Sequence, residues 1–246
     1  MIRPLRRFAQ STIALLLTTG ILSSMATVVL AQYVPPDRGL PGRREGGGTR
    51  GGCALTQPTL TALIPSQNFG LTVQEHPTFF WYVPQTNATT AEFVLMDGNQ
   101  TVYETTIALP KTPGILQVSL PTDGTVPPLT IGKDYQWYFS IICNADDRSG
   151  DLLTRGWVQR QALTPDLAAK LAQVPVVDRS TAYAAAGIWY DAIATLADLR
   201  QSPSSAETQP SQLLKERWNT LLESVGLEAF ADQPFIAEPT VLNQQY

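Results

Sequence analysis

The sequence predicts a β-rich α+β protein: a seven-strand antiparallel sandwich followed by a C-terminal helical hairpin. Three observations carry this. Short apolar runs, each closed by Pro, Gly or Asn, follow one another between about residues 55 and 163. Tyr135, Trp137, Phe139, Ile141 and Cys143 alternate with Gln136, Tyr138 and Ser140, the period-two signature of a half-buried strand. After Leu163 the apolar spacing changes to that of amphipathic helices.

The chain has 246 residues, enough for one large domain or two small ones with a sizeable core. Residues 1–31 read as a signal peptide. Arg3, Arg6 and Arg7 precede an apolar run with no charge in Phe8–Leu30, and Val29-Leu30-Ala31 ends in a small residue fit for cleavage. The competing reading is an uncleaved anchor, because the run is nearly of spanning length. Cleavage removes three Arg and no acid, leaving 14 basic against 21 acidic side chains, a charge of −7. A chain this acidic is a poor partner for nucleic acid, which requires clustered Lys and Arg. No later stretch is long and apolar enough to span a membrane.

Residues 32–54 are rich in Gly, Pro and Arg and lack periodicity, so they are expected to form a flexible tether. Its arginines, Arg38, Arg43, Arg44 and Arg50, would either be solvated or touch an anionic envelope polymer.

The expected strands of the domain at 55–163 are Thr59–Ile64, Thr78–Val83, Ala91–Met96, Thr101–Ile107, Ile115–Leu120, Tyr135–Cys143 and Arg155–Leu163. Asp97-Gly98-Asn99 marks a tight turn between the third and fourth. Cys53 and Cys143 form either a disulfide, the usual fate of a cysteine pair in an exported chain, or two free thiols. Residues 164–240 form the helical tail. Thr164-Pro165-Asp166 starts a short helix. A longer helix runs from Asp178 or Ser180 to Arg200, and another carries Leu214, Trp218, Leu221, Leu222 and Val225, stopped by Gly226.

On the second strand Phe79, Trp81 and Val83 are expected to face the core, with Phe80 and Tyr82 on the other side. The helical tail would cover these two; otherwise they form an exposed aromatic patch. Phe80, Tyr82, Tyr138 and Trp157 are therefore the candidate surface-binding aromatics, with core packing the alternative for Trp157.

Leu129-x-x-Gly132-x-x-Tyr135-x-Trp137-x-Phe139 resembles the tyrosine corner of immunoglobulin-like and fibronectin type III-like domains, and Phe79-Phe80-Trp81-Tyr82-Val83-Pro84 is similar to their tryptophan-bearing strand. The resemblance covers about 55–163 and implies architecture rather than function. Tyr33-Val-Pro-Pro-Asp-Arg-Gly, Pro41-Gly-Arg-Arg-Glu-Gly-Gly-Gly-Thr-Arg-Gly, Leu63-Ile-Pro-Ser-Gln-Asn-Phe-Gly, His76-Pro-Thr-Phe-Phe-Trp-Tyr and Gly187-Ile-Trp-Tyr-Asp-Ala resemble an exported cyanobacterial family classed as domain of unknown function 928. That likeness implies a periplasmic, envelope or secreted setting and brings no catalytic residues.

Catalytic signals are sparse. The lone His76 precedes Pro77 without a Gly-x-Ser-x-Gly elbow, and one His with two distant Cys does not make a zinc site. Asp146-Asp147-Arg148-Ser149-Gly150-Asp151 departs from calcium-loop spacing. No cofactor motif is present. Glu75, Glu92 and Glu104 could pair for glycoside chemistry only by meeting in space. The expected function is a non-enzymatic envelope or secreted interaction module whose partner is an envelope protein or polysaccharide. The alternatives are an assembly factor of an envelope or secretion complex and a carboxylate-dependent glycoside hydrolase.

Overall fold

The structure, a computed structural model, describes residues 32–47, 53–202, 211–237 and 240–245. The signal peptide expected at 1–31 lies outside these residues. No described helix is long and apolar enough to cross a membrane.

Ten strands form one curled sheet among the described residues. They are β1 (Arg43–Gly47), β2 (Thr61–Ala62), β3 (Phe69–Thr72), β4 (Thr78–Val83), β5 (Thr90–Asp97), β6 (Gln100–Ala108), β7 (Gly114–Ser119), β8 (Asp134–Ile141), β9 (Leu152–Arg160) and β10 (Val241–Gln245). The order is β10-β6-β5-β8-β9-β1-β2-β4-β7, all antiparallel. The short β3 runs parallel to β9, beyond the end of β1. All seven expected strands are present, the first shortened to two residues; β1, β3 and β10 are additional.

The curl brings β4 over β5 and β8. Trp81 stacks on Phe139 at 4.3 Å and meets Trp137 edge-on at 5.6 Å, while Phe79 lies 5.0 Å from Phe93. These side chains are fully buried, each contributing roughly 2–3 kcal/mol by removal from water. The Tyr135 hydroxyl accepts from the Thr130 N–H at 3.1 Å, pinning the turn at Gly132 that leads into β8.

Four helices pack against the sheet among the described residues, where a short helix followed by a two-helix hairpin was expected: α1 (Pro165–Gln173), α2 (Val176–Ala185), α3 (Trp189–Gln201) and α4 (Ser211–Glu223). Thr164 caps α1 by accepting from Leu167 N–H at 3.3 Å, with Pro165 in the first turn. The continuous helix expected up to Arg200 is broken into α2 and α3. Gly187 sits at φ +75°, and a β-carbon there would lie 2.9 Å from the Val34 carbonyl. The break is where the N-terminal segment docks, with Val34 N–H donating to Ala184 O at 3.0 Å. Gly226, at φ +70°, ends α4 as the sequence indicates: Leu227 N–H donates to Leu222 O at 2.9 Å and Gly226 N–H to Glu223 O at 3.0 Å. Helices and sheet share one core: Trp189 Nε1 donates to Leu63 O at 2.9 Å, and Trp137 Nε1 to the Tyr190 hydroxyl at 2.8 Å.

The expectation of a tether over 32–54 is corrected for its described part. Tyr33 is 4% exposed and meets Trp189 edge-on at 5.1 Å. Arg38 pairs with Asp134 and lies over the Phe69 ring at 4.9 Å. β1 pairs with β9 on one side and β2 on the other, and is the strand that joins the two halves of the sheet. Gly here serves close approach rather than flexibility: a β-carbon at Gly46 would lie 2.9 Å from Leu60 Cβ. Arg44 donates to Val225 O at 2.8 Å and Gly226 O at 3.2 Å, so it caps the C-terminal end of α4. Arg38 and Arg44 are thus committed within the fold. Replacing Arg44 with Ala is expected to lower unfolding free energy by about 1–3 kcal/mol, the range for charged hydrogen bonds, in urea titrations; an unchanged midpoint would contradict the capping role.

Candidate functional site

The outward side chains of β5, β8 and β9 form a face crossed by two rows. In one, Val94 lies opposite Tyr138 and Tyr138 opposite Arg155; in the other, Met96 lies opposite Gln136 and Gln136 opposite Trp157. Val94, Met96, Gln136, Tyr138 and Trp157 are half-buried and Arg155 is exposed. The register makes Tyr138 and Trp157 diagonal neighbours, about 7–8 Å apart at the backbone, within reach of one elongated ligand. Both rings are oriented by hydrogen bonds. The Tyr138 hydroxyl donates to Gln136 Oε1 at 2.7 Å, and Trp157 Nε1 donates to Pro41 O at 2.9 Å. Charged pairs sit at the margins: Arg148 with Glu92 at 3.2 Å, Lys133 with Asp97, and Arg38 with Asp134. Such a face offers apolar ring surface together with an amide and a guanidinium, the combination that recognises flat, hydroxyl-rich or peptide ligands.

The structure therefore brings together two of the four candidate aromatics. Phe80 and Tyr82 are each 3% exposed: they are covered, as the first of the two expectations had it, and the surface-binding alternative is corrected for both. The Tyr82 ring packs 5.0 Å from Phe230, beyond α4. β4 is apolar on both sides because both sides are covered.

Cys53 and Cys143 form a disulfide spanning 90 positions, which ties the start of the body to the end of β8. His76 is half-buried, and its Nε2 donates to Val126 O at 3.0 Å. The Asp146–Asp151 loop satisfies itself. Hydrogen bonds from the Ser149 side chain and, at 3.0 Å, from the Ser149 N–H hold the Asp147 carboxyl below the usual range, and Asp151 pairs with Arg148 and accepts from Cys143 N–H at 2.9 Å. No group of three or more potential metal-binding side chains occurs among the described residues. Glu75 and Glu92 are separately paired, with Arg160 at 2.9 Å and Arg148 at 3.2 Å, and Glu104 lies on β6 opposite Val94.

Asp191 is the polar residue the sequence reading missed. It lies in the first turn of α3, is 3% exposed, and accepts from Thr72 Oγ1 at 2.7 Å, Val73 N–H at 3.1 Å and Gln74 Nε2 at 3.1 Å. It fastens α3 to the end of β3. Burial holds its carboxyl above the usual carboxylate range, against the opposing pull of these hydrogen bonds. The usable signal was an acid in a helix first turn, visible only once Gly187 is recognised as ending the preceding helix.

No curated protein and no solved structure matches the chain. The model of one family, described as Domain of Unknown Function (DUF928), matches residues 45–235, from within β1 to the segment after α4 that bridges to β7. Over that span, which includes β2 to β9 and all four described helices, the chain belongs to the DUF928 family.

Proposed function

We propose that the protein is a non-enzymatic interaction module of the cell envelope or of the secreted fraction, and that the outer face of β5–β8–β9 is its binding surface. The carrying observation is the diagonal placement of Tyr138 and Trp157, both half-buried and both oriented by hydrogen bonds. A polysaccharide is the partner that suits this face best. The C–H faces of sugar rings are apolar and stack on aromatic side chains, while Gln136 and Arg155 are placed to bind hydroxyls. The exported setting rests on the leader-like segment at 1–31 and is consistent with the disulfide. Kinship with immunoglobulin-like and fibronectin type III-like sandwiches is part of the same reading, supported by the Tyr135–Thr130 bond.

The test is co-sedimentation of the mature protein with insoluble envelope polysaccharide and, separately, with envelope proteins. Combined Tyr138→Ala and Trp157→Ala substitution is expected to reduce polysaccharide retention at least tenfold while leaving a cooperative thermal transition. Equal retention by parent and variant, or retention only by the protein fraction, would overturn the assignment. A second reading, an assembly factor, is favoured by the edge strand β10, where Val241 and Leu242 are exposed beside an open row of backbone groups.

A further inference from the structure

A polar cavity of about 320 Å³ lies between the β3–β4 connection and helices α2 and α3. Gln74, His76, Tyr183, Asp191, Thr195 and Asp198 contribute to its walls, and no Lys or Arg does. Asp191 and Asp198 are seven residues apart on α3, two turns along one side, so their backbones are separated by about 10 Å.

Several acceptors lining the cavity keep hydrogen-bonding capacity. Asp191 receives three hydrogen bonds, all from neutral donors. Neither it nor Asp198 enters an ion pair among the described residues. His76 donates its Nε2–H to Val126 O, which leaves Nδ1 as an acceptor. Thr195 donates its hydroxyl proton to the Asp191 carbonyl at 2.7 Å, leaving the Oγ1 lone pairs. A buried carboxylate without a cation carries a desolvation penalty that a cationic ligand would offset. With about 30 Å³ per water, the volume equals roughly ten water molecules, enough for an ammonium head and a short alkyl stem. The rings of Tyr183 and Tyr190, which also line the cavity, supply a wall for such a stem. A bare divalent cation fits less well, since no trio of metal-binding side chains converges here.

We propose that this cavity binds a primary alkylammonium group, carried by a free small amine or by the lysine side chain of a partner. The two carboxylates of α3 bind its charge, and His76 and Thr195 accept its hydrogen bonds. The site is separate from the β5–β8–β9 face and does not depend on that assignment.

Calorimetric titration of the mature protein at low salt with 1,5-diaminopentane tests this. Saturable one-to-one binding is expected, weakened at least tenfold by Asp198→Asn, a substitution at the rim that leaves the Asp191 hydrogen bonds in place. Pentan-1-ol, which keeps the stem and lacks the charge, is expected not to bind. A parallel titration with Nα-acetyl-lysine amide identifies the source: tighter binding than the diamine assigns a partner's lysine, and weaker binding assigns a free amine. Absence of saturable binding by either amine, equal affinity in Asp198→Asn, comparable binding of pentan-1-ol, or preferential binding of Ca²⁺ would each overturn the proposal.

Discussion

A mature chain beginning at Gly48, and so lacking residues 32–47, is expected to lose its cooperative folded state. The deletion removes β1 from between β9 and β2 and exposes a pairing edge on each. It also removes the Tyr33 contact with Trp189, the Val34 bond to Ala184, the Arg38–Asp134 pair and the Arg44 cap on α4. The buried tyrosine, the cap and the two-sided strand together amount to roughly 5–10 kcal/mol, comparable with the whole stability of an ordinary domain. Thermal unfolding followed by near-ultraviolet circular dichroism, with size-exclusion chromatography for edge-driven association, measures the effect. A truncated monomer that melts within about 3 °C of the longer chain would refute the role given to β1, since a loss of several kcal/mol should shift a domain of this size much further.

Trp81→Ala is expected to cost about 3–5 kcal/mol and to lower the melting temperature by roughly 10 °C. Trp81 is fully buried and touches the rings of Phe139, Trp137 and Phe93, at 4.3, 5.6 and 5.5 Å, from across the curl of the sheet. Truncation leaves a cavity that these rigid neighbours cannot collapse into. Trp81→Phe is expected to be much milder, about 1–2 kcal/mol, for a specific reason. Among the described residues the buried Trp81 indole N–H has no hydrogen-bond partner, so phenylalanine keeps most of the stacking and removes an unsatisfied donor. Denaturant titration of the two variants separates the contributions. Equal destabilisation by Ala and Phe would show that the indole N–H finds a partner in solution.

The strands legible in the sequence are those whose alternation is long enough to read. β4 through β9 appear within three residues of their expected bounds, and the alternation is clearest in β5, where Ala91, Phe93 and Leu95 are buried, and in β8, where Tyr135, Trp137, Phe139 and Ile141 are. β1 was illegible because Arg-Arg-Glu-Gly-Gly has no apolar face; its place comes from glycine allowing close approach and from Arg44 reaching a helix end more than 180 positions away. β3 is four residues long and gains its pairing only by running parallel to β9, a contact no local pattern announces. The α2–α3 break was hidden by the apolar stripe of Ala185, Ile188, Ala192 and Leu196, which continues through it. Within the candidate site, Tyr138 was legible as an outward aromatic and Trp157 as either a surface platform or core, but their juxtaposition depends on the β8–β9 register. Asp191 was invisible because its burial is produced by β3, far away in the chain.

The seam between the two halves of the sheet has a kinetic corollary. Arg43 lies opposite Arg155, so the earliest strand cannot be zipped in until the ninth has been synthesised. Closing so long a loop is entropically expensive and makes assembly slow. A nascent polypeptide with this wiring keeps the seam of its sheet open until β9, which ends at Arg160, has emerged.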